Sequence, residues 1–321
     1  MNINWRIGFY CLLGGLCFTV AALGAGHFWL WWLSGAVTTA ALVPVARFGP
    51  RHPLALMGAI YLTLVVVGLV CTLSEAVLFY PAMKAEALRD LMGGATMYLI
   101  TAAVLVALAK VLKLTEPAAQ AVPHRPWAMA IPLVLVAGAS YVLYYQVFGM
   151  ITFEFFTKQY YPHAVEQVGA LGVFFYFYQW ARGTLMVLAV LPIIYTLRLR
   201  RWHAALAVGV LVWVAGGAAA LLVPNPMMIA AQRYIHIVEI MTQNVSLGIT
   251  AVLLLRPRTA TVAESIQSAP AAWKISRLSV GCGGGAGSRR GSGGAGRAFA
   301  WGRRRFGLCR GGPSGGFGTR F

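Results

Sequence analysis

The run "LALMGAIYLTLVVVGLVCTLSEAVLFY", from Leu54 to Tyr80, decides the fold class of this chain. It is long enough to cross the hydrocarbon core of a bilayer, which needs about 20 residues in a helix, and Glu75 is its one acidic or basic residue. The run is continuous and rich in Leu and Val. Strands of a membrane barrel instead alternate apolar and polar residues over about ten positions, so the run predicts a membrane-spanning helix.

The composition of the whole chain extends this prediction beyond one helix. The 321 residues are 59% hydrophobic and 11% charged, whereas charged residues make up about 25% of an ordinary soluble domain. Windows of about 19 residues find repeated runs of the same kind. We therefore predict an all-α, polytopic helical bundle of about eight transmembrane helices within residues 1–258. The predicted spans are residues 7–24, 28–46, 54–80, 91–112, 127–153, 168–197, 204–223 and 229–255.

The distribution of Lys and Arg predicts how the chain is threaded, because these residues are retained on the cytoplasmic side of short connections. The second, fourth and sixth connections are basic, as is the segment after the last span, and the alternate connections have no excess of positive charge. Both termini are therefore expected in the cytoplasm, with the first span retained rather than cleaved as a signal peptide. The expected location is a cell membrane, with the bacterial cytoplasmic membrane as the expected compartment.

Residues 259–321 differ in composition from the rest of the chain. The part from Gly281 to Phe321 contains sixteen glycines and eight arginines but no Lys, Asp or Glu, so it has no apolar face that could offset the entropy of ordering. We predict a cytoplasmic, disordered tail. Arginine without lysine in this background is also what a shifted reading frame in a GC-rich gene would produce, from about Trp273. A membrane-surface tail and an RNA-binding segment are the alternatives, and nucleic-acid binding is the one we disfavour.

The last predicted span contains an unusual polar stretch, "QRYIHIVEIMTQN". A charged group at bilayer depth costs at least about 2.5 kcal/mol on insertion scales, so these side chains need partners or a purpose. At 100° per residue the polar side chains fall within an arc of about 140°, which predicts one polar face turned away from lipid. The residues of this face are Arg233, His236, Glu239, Gln243 and Asn244.

Two interpretations of this polar face remain open on the sequence alone. Its residues stand three or four positions apart, so Glu239 can orient or charge the His236 imidazole. The face either binds helices together, as buried polar groups in membranes do at about 0.6 kcal/mol each, or lines a solute path or an acid and base site. We include Arg233, His236, Glu239 and Gln243 among the candidate substrate-binding residues.

Arg182 provides a second buried charge, near the middle of the sixth predicted span. It needs a carboxylate, a polar cavity or an anionic ligand, and Gln179 stands one turn away on the same side. Glu75 and Glu154 are both expected near the outer ends of their spans, where a helix C-terminus disfavours negative charge. Arg182 and Arg233 are the candidate partners of these two carboxylates, with solvation at the interface as the alternative for Glu154. Gln179, Glu75 and Glu154 join the candidate binding residues.

Motifs that would identify an enzyme or a metalloprotein are missing from the sequence. There is no H-E-x-x-H, no G-x-S-x-G and no phosphate-binding G-x-x-x-x-G-K-[ST], and the cysteines and histidines do not show metal-ligand spacing. No catalytic residue, metal or cofactor is predicted. The expected partners are the lipid bilayer and a small polar or anionic solute.

Three functions are compatible with this pattern. A transporter or permease-like protein for a small polar or anionic solute explains the depth and clustering of the polar residues, with His236 or Glu239 able to carry a proton. A structural or assembly subunit would use the same residues only to hold the bundle together. An intramembrane enzyme acting on a lipid or lipid-linked substrate would use Glu239 or Glu75 as a general base and Arg182 to hold an anionic headgroup.

Overall fold

The computed structural model describes residues 3–21, 26–116, 122–123, 125–225 and 228–257. The predicted low-complexity tail, residues 259–321, lies outside the described residues, as does Arg258.

The described residues fold into nine helices and contain no strand, which confirms the prediction of an all-α polytopic bundle. Continuous helix is the expected result, because a helix satisfies its own backbone hydrogen bonds where the bilayer offers no water. The helices are α1 (Ile3–Ala21), α2 (Phe28–Phe48), α3 (Pro53–Phe79), α4 (Pro81–Val111), α5 (Trp127–Thr157), α6 (Ala164–Leu171), α7 (Val173–Thr196), α8 (Arg201–Leu222) and α9 (Ala230–Leu255).

Seven of these helices, α2 to α5 and α7 to α9, are long and apolar enough to cross a membrane. They correspond to seven of the eight predicted spans. The first predicted span is the helix α1, which packs along α2 but is not one of the seven. It carries Asn4 and Arg6 in its first turn, so its apolar part is shorter than that of the other helices.

Two helix boundaries differ from the approximate predicted spans, for reasons that lie in single residues. The sixth span was predicted from Val168, but Gly172 adopts a left-handed backbone (φ 53°) and separates the short helix α6 from α7. The fourth span was predicted from Leu91, whereas α4 begins ten residues earlier at Pro81, because proline is favoured at the first position of a helix. The charged residues that were assigned to a loop there lie instead in the first turns of α4.

Close contact between small residues brings the helices together. The main pairs are α1 with α2, α8 with α9, and α5 with both α7 and α9. At the α8–α9 contact, a Cβ added at Gly248 would lie 2.5 Å from the Gly209 Cα. At the α5–α7 contact, a Cβ added at Gly138 would lie 2.0 Å from Thr184 Oγ1. Glycine at these positions allows the backbones to approach, as is usual between membrane helices.

Three helices contain π-helical segments, and two of these segments pack against each other. Thr63–Val70 in α3 faces Val214–Ala218 in α8, where a Cβ on Gly68 would lie 3.0 Å from the Ala215 carbonyl oxygen. Gly217 lies in the α8 segment with φ 159° and ψ −36°, a backbone conformation that residues with a side chain rarely adopt. The bend in α8 therefore depends on glycine at this position. The third segment, Phe153–Thr157, ends α5.

Arginines close one end of the bundle, which we call the basic end. Arg198 donates from its backbone N–H and its Nε to the Phe48 carbonyl, at 2.8 and 3.1 Å. The buried Arg256 donates to the carbonyls of Ile194 (2.6 Å), Leu197 (2.5 Å) and Leu199 (3.1 Å). These guanidinium groups satisfy carbonyls that have no partner within their own helix. Burial lowers the pKa of Arg256 to about 10, so it remains charged at neutral pH.

Substitution of Gly248 by alanine should destabilise the protein, because the new methyl group would collide with the backbone of α8 rather than with a mobile side chain. Overpacking of this kind costs about 1–3 kcal/mol. Gly93→Ala is the matched control, since a Cβ on Gly93 in α4 meets nothing within 4 Å. Unfolding of the purified protein by a denaturing detergent would compare the two variants. Equal free energies of unfolding for the two would contradict the close α8–α9 contact.

Candidate functional site

Arg182 and Glu75 form a buried ion pair between α7 and α3. Arg182 Nη1 lies 2.9 Å from Glu75 Oε1, and Nη2 lies 2.7 Å from Oε2, so the guanidinium holds the carboxylate through two parallel bonds. The side chain of Arg182 is 3% exposed and that of Glu75 is 24% exposed. Arg182 Nη1 also donates to the Tyr141 hydroxyl of α5 at 3.0 Å. We call Arg182 and Glu75 the arginine–glutamate pair.

This pair connects three helices and leaves little of Arg182 for a ligand. A planar guanidinium matches a carboxylate in this two-bond geometry, and Glu75 occupies both terminal nitrogens. Gln179 lies beside the pair, with its Oε1 at 3.5 Å from Arg182 Nη1. Within the described part of the chain, Arg182 Nε and Gln179 Nε2 are buried without a hydrogen-bond partner. The sequence left a carboxylate and an anionic ligand open as partners of Arg182, and in the structure the partner is Glu75.

A second group of polar residues lies on α9, and we call His236, Glu239 and Gln243 the α9 cluster. His236 Nδ1 lies 2.7 Å from Glu239 Oε2, and Gln243 Nε2 donates to Glu239 Oε1 at 3.1 Å. The His236 side chain is 21% exposed and that of Glu239 is 12% exposed. The other imidazole nitrogen, Nε2, lies 3.1 Å from the hydroxyl of Tyr161 in the segment that follows α5.

The hydrogen bonds of the α9 cluster run along its own helix rather than to neighbouring helices. Each carboxylate oxygen of Glu239 is bonded to a residue of α9, three or four positions away. Other groups hold α9 to α8: the Asn244 amide donates to the Val212 carbonyl at 3.3 Å, and the Trp213 indole donates to the Ile237 carbonyl at 2.9 Å. Of the polar face predicted from the sequence, Asn244 therefore binds two helices together, whereas the α9 cluster is bonded mainly to itself.

Arg233 lies apart from both Glu75 and Glu154. It is one turn closer to the start of α9 than the α9 cluster. It is 6% exposed, and its Nη1 donates to the carbonyls of Leu221 and Leu222 at 3.3 and 3.5 Å. These carbonyls end α8, where the partial negative charge of a helix C-terminus favours a cation. The expected pairing of Arg233 with Glu75 or Glu154 is not the arrangement in the structure.

Glu154 pairs with neither Arg182 nor Arg233, and of the two alternatives that the sequence left open its position matches solvation at the surface. Its side chain is 59% exposed and pairs with Lys158, four residues on, at 2.9 Å. It lies in the π-helical segment at the end of α5, on the surface of the bundle. An exposed position needs no buried counter-charge, so Glu154 does not join the other candidate residues.

Tyr145 of α5 is near both the arginine–glutamate pair and the α9 cluster. It is close enough to Glu75 and Glu239 for both charges to act on it, and Glu75 also acts on His236. Gly149, one turn further along α5, lies opposite the α9 cluster: a Cβ there would be 3.5 Å from Glu239 Oε1 and 3.7 Å from Gln243 Nε2. Helix α5 therefore presents a glycine, rather than a counter-charge, to the carboxylate.

The aromatic residues at this site were missed by the sequence analysis, which named no tyrosine among its candidate binding residues. Tyr161 reaches His236, 75 positions later in the chain, and no spacing in the sequence reveals that contact. Tyr141 contacts Arg182 in the same way across 41 positions. Only the packing of α5 against α7 and α9 brings these hydroxyl groups to the charges.

Neither group has the composition of a metal centre. Among the described residues, no cluster of three or more His, Cys, Asp or Glu side chains is placed to hold an ion. A cavity of about 370 Å³ is lined by Arg125, Pro132 and apolar residues of α5 and α9. It lies at the basic end, roughly 22 Å along α9 from Glu239, and is therefore separate from the α9 cluster.

No known protein family matches this chain, and no match is found among characterised proteins or solved structures. The function therefore has to be inferred from the geometry of these residues.

Removal of one member of the arginine–glutamate pair should be strongly destabilising. Glu75→Gln leaves the Arg182 guanidinium buried without its counter-charge, and breaking a buried pair in this way costs about 3–5 kcal/mol. The double variant Glu75→Gln, Arg182→Gln should recover part of that loss. Detergent unfolding of the two single variants and the double variant measures the coupling. Glu154→Gln, which breaks only the exposed pair with Lys158, is the control and should change stability by less than about 1 kcal/mol.

Additive losses for the Glu75 and Arg182 substitutions, with no recovery in the double variant, would show that the two side chains do not stabilise each other.

Proposed function

We propose that this chain is a transporter or permease-like membrane protein that moves a small polar or anionic solute past the polar face of α9. The observation that carries the proposal is the α9 cluster. It places a carboxylate, an imidazole and an amide within a helix long and apolar enough to span a membrane, and their hydrogen bonds contribute little to holding that helix against its neighbours.

The free-energy cost of placing ionisable side chains at bilayer depth distinguishes this proposal from a purely structural role. Ionisable side chains at bilayer depth are expensive and usually mark a path or a site, unless they bind helices together. The arginine–glutamate pair meets that second condition, since it connects α3, α5 and α7. The α9 cluster does not, because Glu239 is bonded to His236 and Gln243 of its own helix. Its partial exposure also leaves room for a ligand atom to approach.

The chemistry of the proposed site is suited to a small solute with hydrogen-bonding groups. Glu239 accepts hydrogen bonds, the Gln243 amide both donates and accepts, and His236 does either according to its protonation state. Arg233 adds a positive charge one turn away on the same helix. Arg182, Glu75 and Gln179 would support this site from α7 and α3 rather than touch the solute, because they already bond to one another.

An intramembrane enzyme is the second candidate, favoured by one distance. His236 is held 2.7 Å from a carboxylate, and a carboxylate that orients an imidazole is a recurrent arrangement for general acid–base catalysis. In that case His236 or Glu239 would act on a lipid or lipid-linked substrate. An assembly subunit without a ligand is the third candidate, and it is supported by the arginine–glutamate pair and by the bond from Asn244 to α8.

The first test is the melting temperature of Glu239→Gln in detergent, with and without a panel of small anionic solutes and lipids. We expect the variant to melt as high as the wild type or higher, because functional charges are commonly kept at the expense of stability. We also expect a ligand-dependent rise in the wild type that the variant loses. Glu154→Gln should behave as the wild type in both respects.

A large fall in the melting temperature of Glu239→Gln, together with no effect of any ligand on either protein, would instead favour the assembly subunit. Stabilisation by lipids alone, accompanied by turnover of a lipid, would favour the enzyme.

A further inference from the structure

We infer that the proton is the ion coupled to this site: His236 and Glu239 take up one proton together, and the Tyr161 hydroxyl conducts it to them. The inference rests on the proposed function, since it identifies the coupling ion of the same site. The residues that carry it come from three parts of the chain, namely α9, the segment after α5 and the segment between α3 and α4.

A continuous series of hydrogen-bonding groups leads to Glu239 from the end of the bundle opposite the basic end. It begins at the Tyr161 hydroxyl, which has Tyr80 as a neighbour and lies 3.1 Å from His236 Nε2. The imidazole continues the series from Nδ1 to Glu239 Oε2 at 2.7 Å, and Gln243 Nε2 ends it at 3.1 Å from the other carboxylate oxygen. Tyr80 and Tyr161 are both partly exposed, so the series reaches from the surface to the carboxylate.

The proton transfer changes only O–H and N–H bonds. Before uptake, neutral His236 donates from Nδ1 to the Glu239 carboxylate, and its Nε2 accepts a hydrogen bond from Tyr161. Tyr161 then transfers its hydroxyl proton to Nε2 and regains one from water at the surface, either directly or through Tyr80, which water reprotonates in turn. The product is an imidazolium beside a carboxylate, or, if the Nδ1 proton moves to Oε2, a neutral imidazole beside a carboxylic acid. His236 and Glu239 together gain one proton in either case, and Tyr161 is unchanged.

Tyr161 is suited to conduct a proton without becoming charged itself. Burial first, and then the neighbouring Tyr80 hydroxyl, raise the pKa of Tyr161 above the ordinary tyrosine value. The phenol therefore stays protonated across the pH range in which histidine titrates. Its role is to pass protons on, while the titration itself belongs to His236 and Glu239 as a coupled pair.

Other charges that could act on His236 and Glu239 come from four elements. Glu75 acts on His236, and the bidentate bond to Arg182 compensates much of its charge. The stretch of α8 that packs here, residues 210–222, contains no ionisable residue. The elements that pack against α9, or whose charges act on it, carry these titratable and charged groups: Arg233 on α9 itself, Tyr145, Glu154 and Lys158 towards the end of α5, Tyr178 and Arg182 on α7, and Glu75 on α3, which is followed by Tyr80.

The proton path is open towards one end of the bundle only. Beyond Asn244 the fully buried side chains of α9 are apolar, with Leu247, Ala251, Val252 and Leu255 each at most 1% exposed. Apolar side chains conduct no protons, so in this conformation the pair exchanges protons with the Tyr161 end and is closed to the basic end. One-sided access of this kind is what a coupled carrier requires of each of its states.

The test is infrared spectroscopy of the purified full-length protein after a rapid change of pH between about 8 and about 5, the range that spans histidine titration. We expect a protonation signal that is lost in Glu239→Gln and altered in His236→Asn. Tyr161→Phe should keep the extent of the signal and slow it at least about tenfold, since a positioned proton-transfer group contributes about 10²–10⁴ in rate.

Tyr160→Phe is the matched control, because Tyr160 lies in the same segment but outside the series, and it should change neither extent nor rate. Tyr80→Phe provides a second, more peripheral variant and should also slow the signal. An unchanged rate in Tyr161→Phe would overturn the inference, as would a wild type without a signal that depends on Glu239 or His236. The spectra require no solute, so failure of the ligand-dependent melting shift would refute the solute site separately.

Discussion

Every polar group at bilayer depth has to find its partner inside the protein, and this constraint governs the structure at each level. The backbone meets it by forming helices, seven of which are long and apolar enough to cross a membrane. The helix ends at the basic end meet it through arginines such as Arg198 and Arg256, which donate to carbonyls of other helices. The two groups of ionisable residues within the bundle are the remaining cases, and they meet the constraint in different ways.

The arginine–glutamate pair and the α9 cluster differ in where their hydrogen bonds go. Arg182 bonds to residues of α3 and α5, so loss of its charge would disturb three helices at once. Glu239 bonds to two residues of its own helix, so its loss would leave the helix contacts at Asn244 and Gly248 in place. This distinction separates groups that hold a bundle together from groups available to a ligand or a proton, and the proposed function depends on it.

Much of the candidate site could be predicted from the sequence, because the cost of burying charge is a local property. His236, Glu239 and Gln243 follow from helical spacing, and their bonds at three and four residues are those the spacing allows. Partners on other helices could not be derived in this way. Glu75 and Glu154 have similar sequence surroundings, yet one is paired with Arg182 and the other with the neighbouring Lys158. The contact of Tyr161 with His236 depends entirely on how the segment after α5 lies over α9.

The sequence by itself determined the fold class, most of the spans and the polar face of α9. These depend on apolar runs and on helical periodicity, which are properties of neighbouring residues. Only the tertiary structure decided which helices meet and therefore which charge is neutralised. Small residues such as Gly209 and Gly248 set the distance between helices, and Gly217 sets the bend of α8. These contacts join residues far apart in the chain, and their geometry emerges only when all the helices pack together.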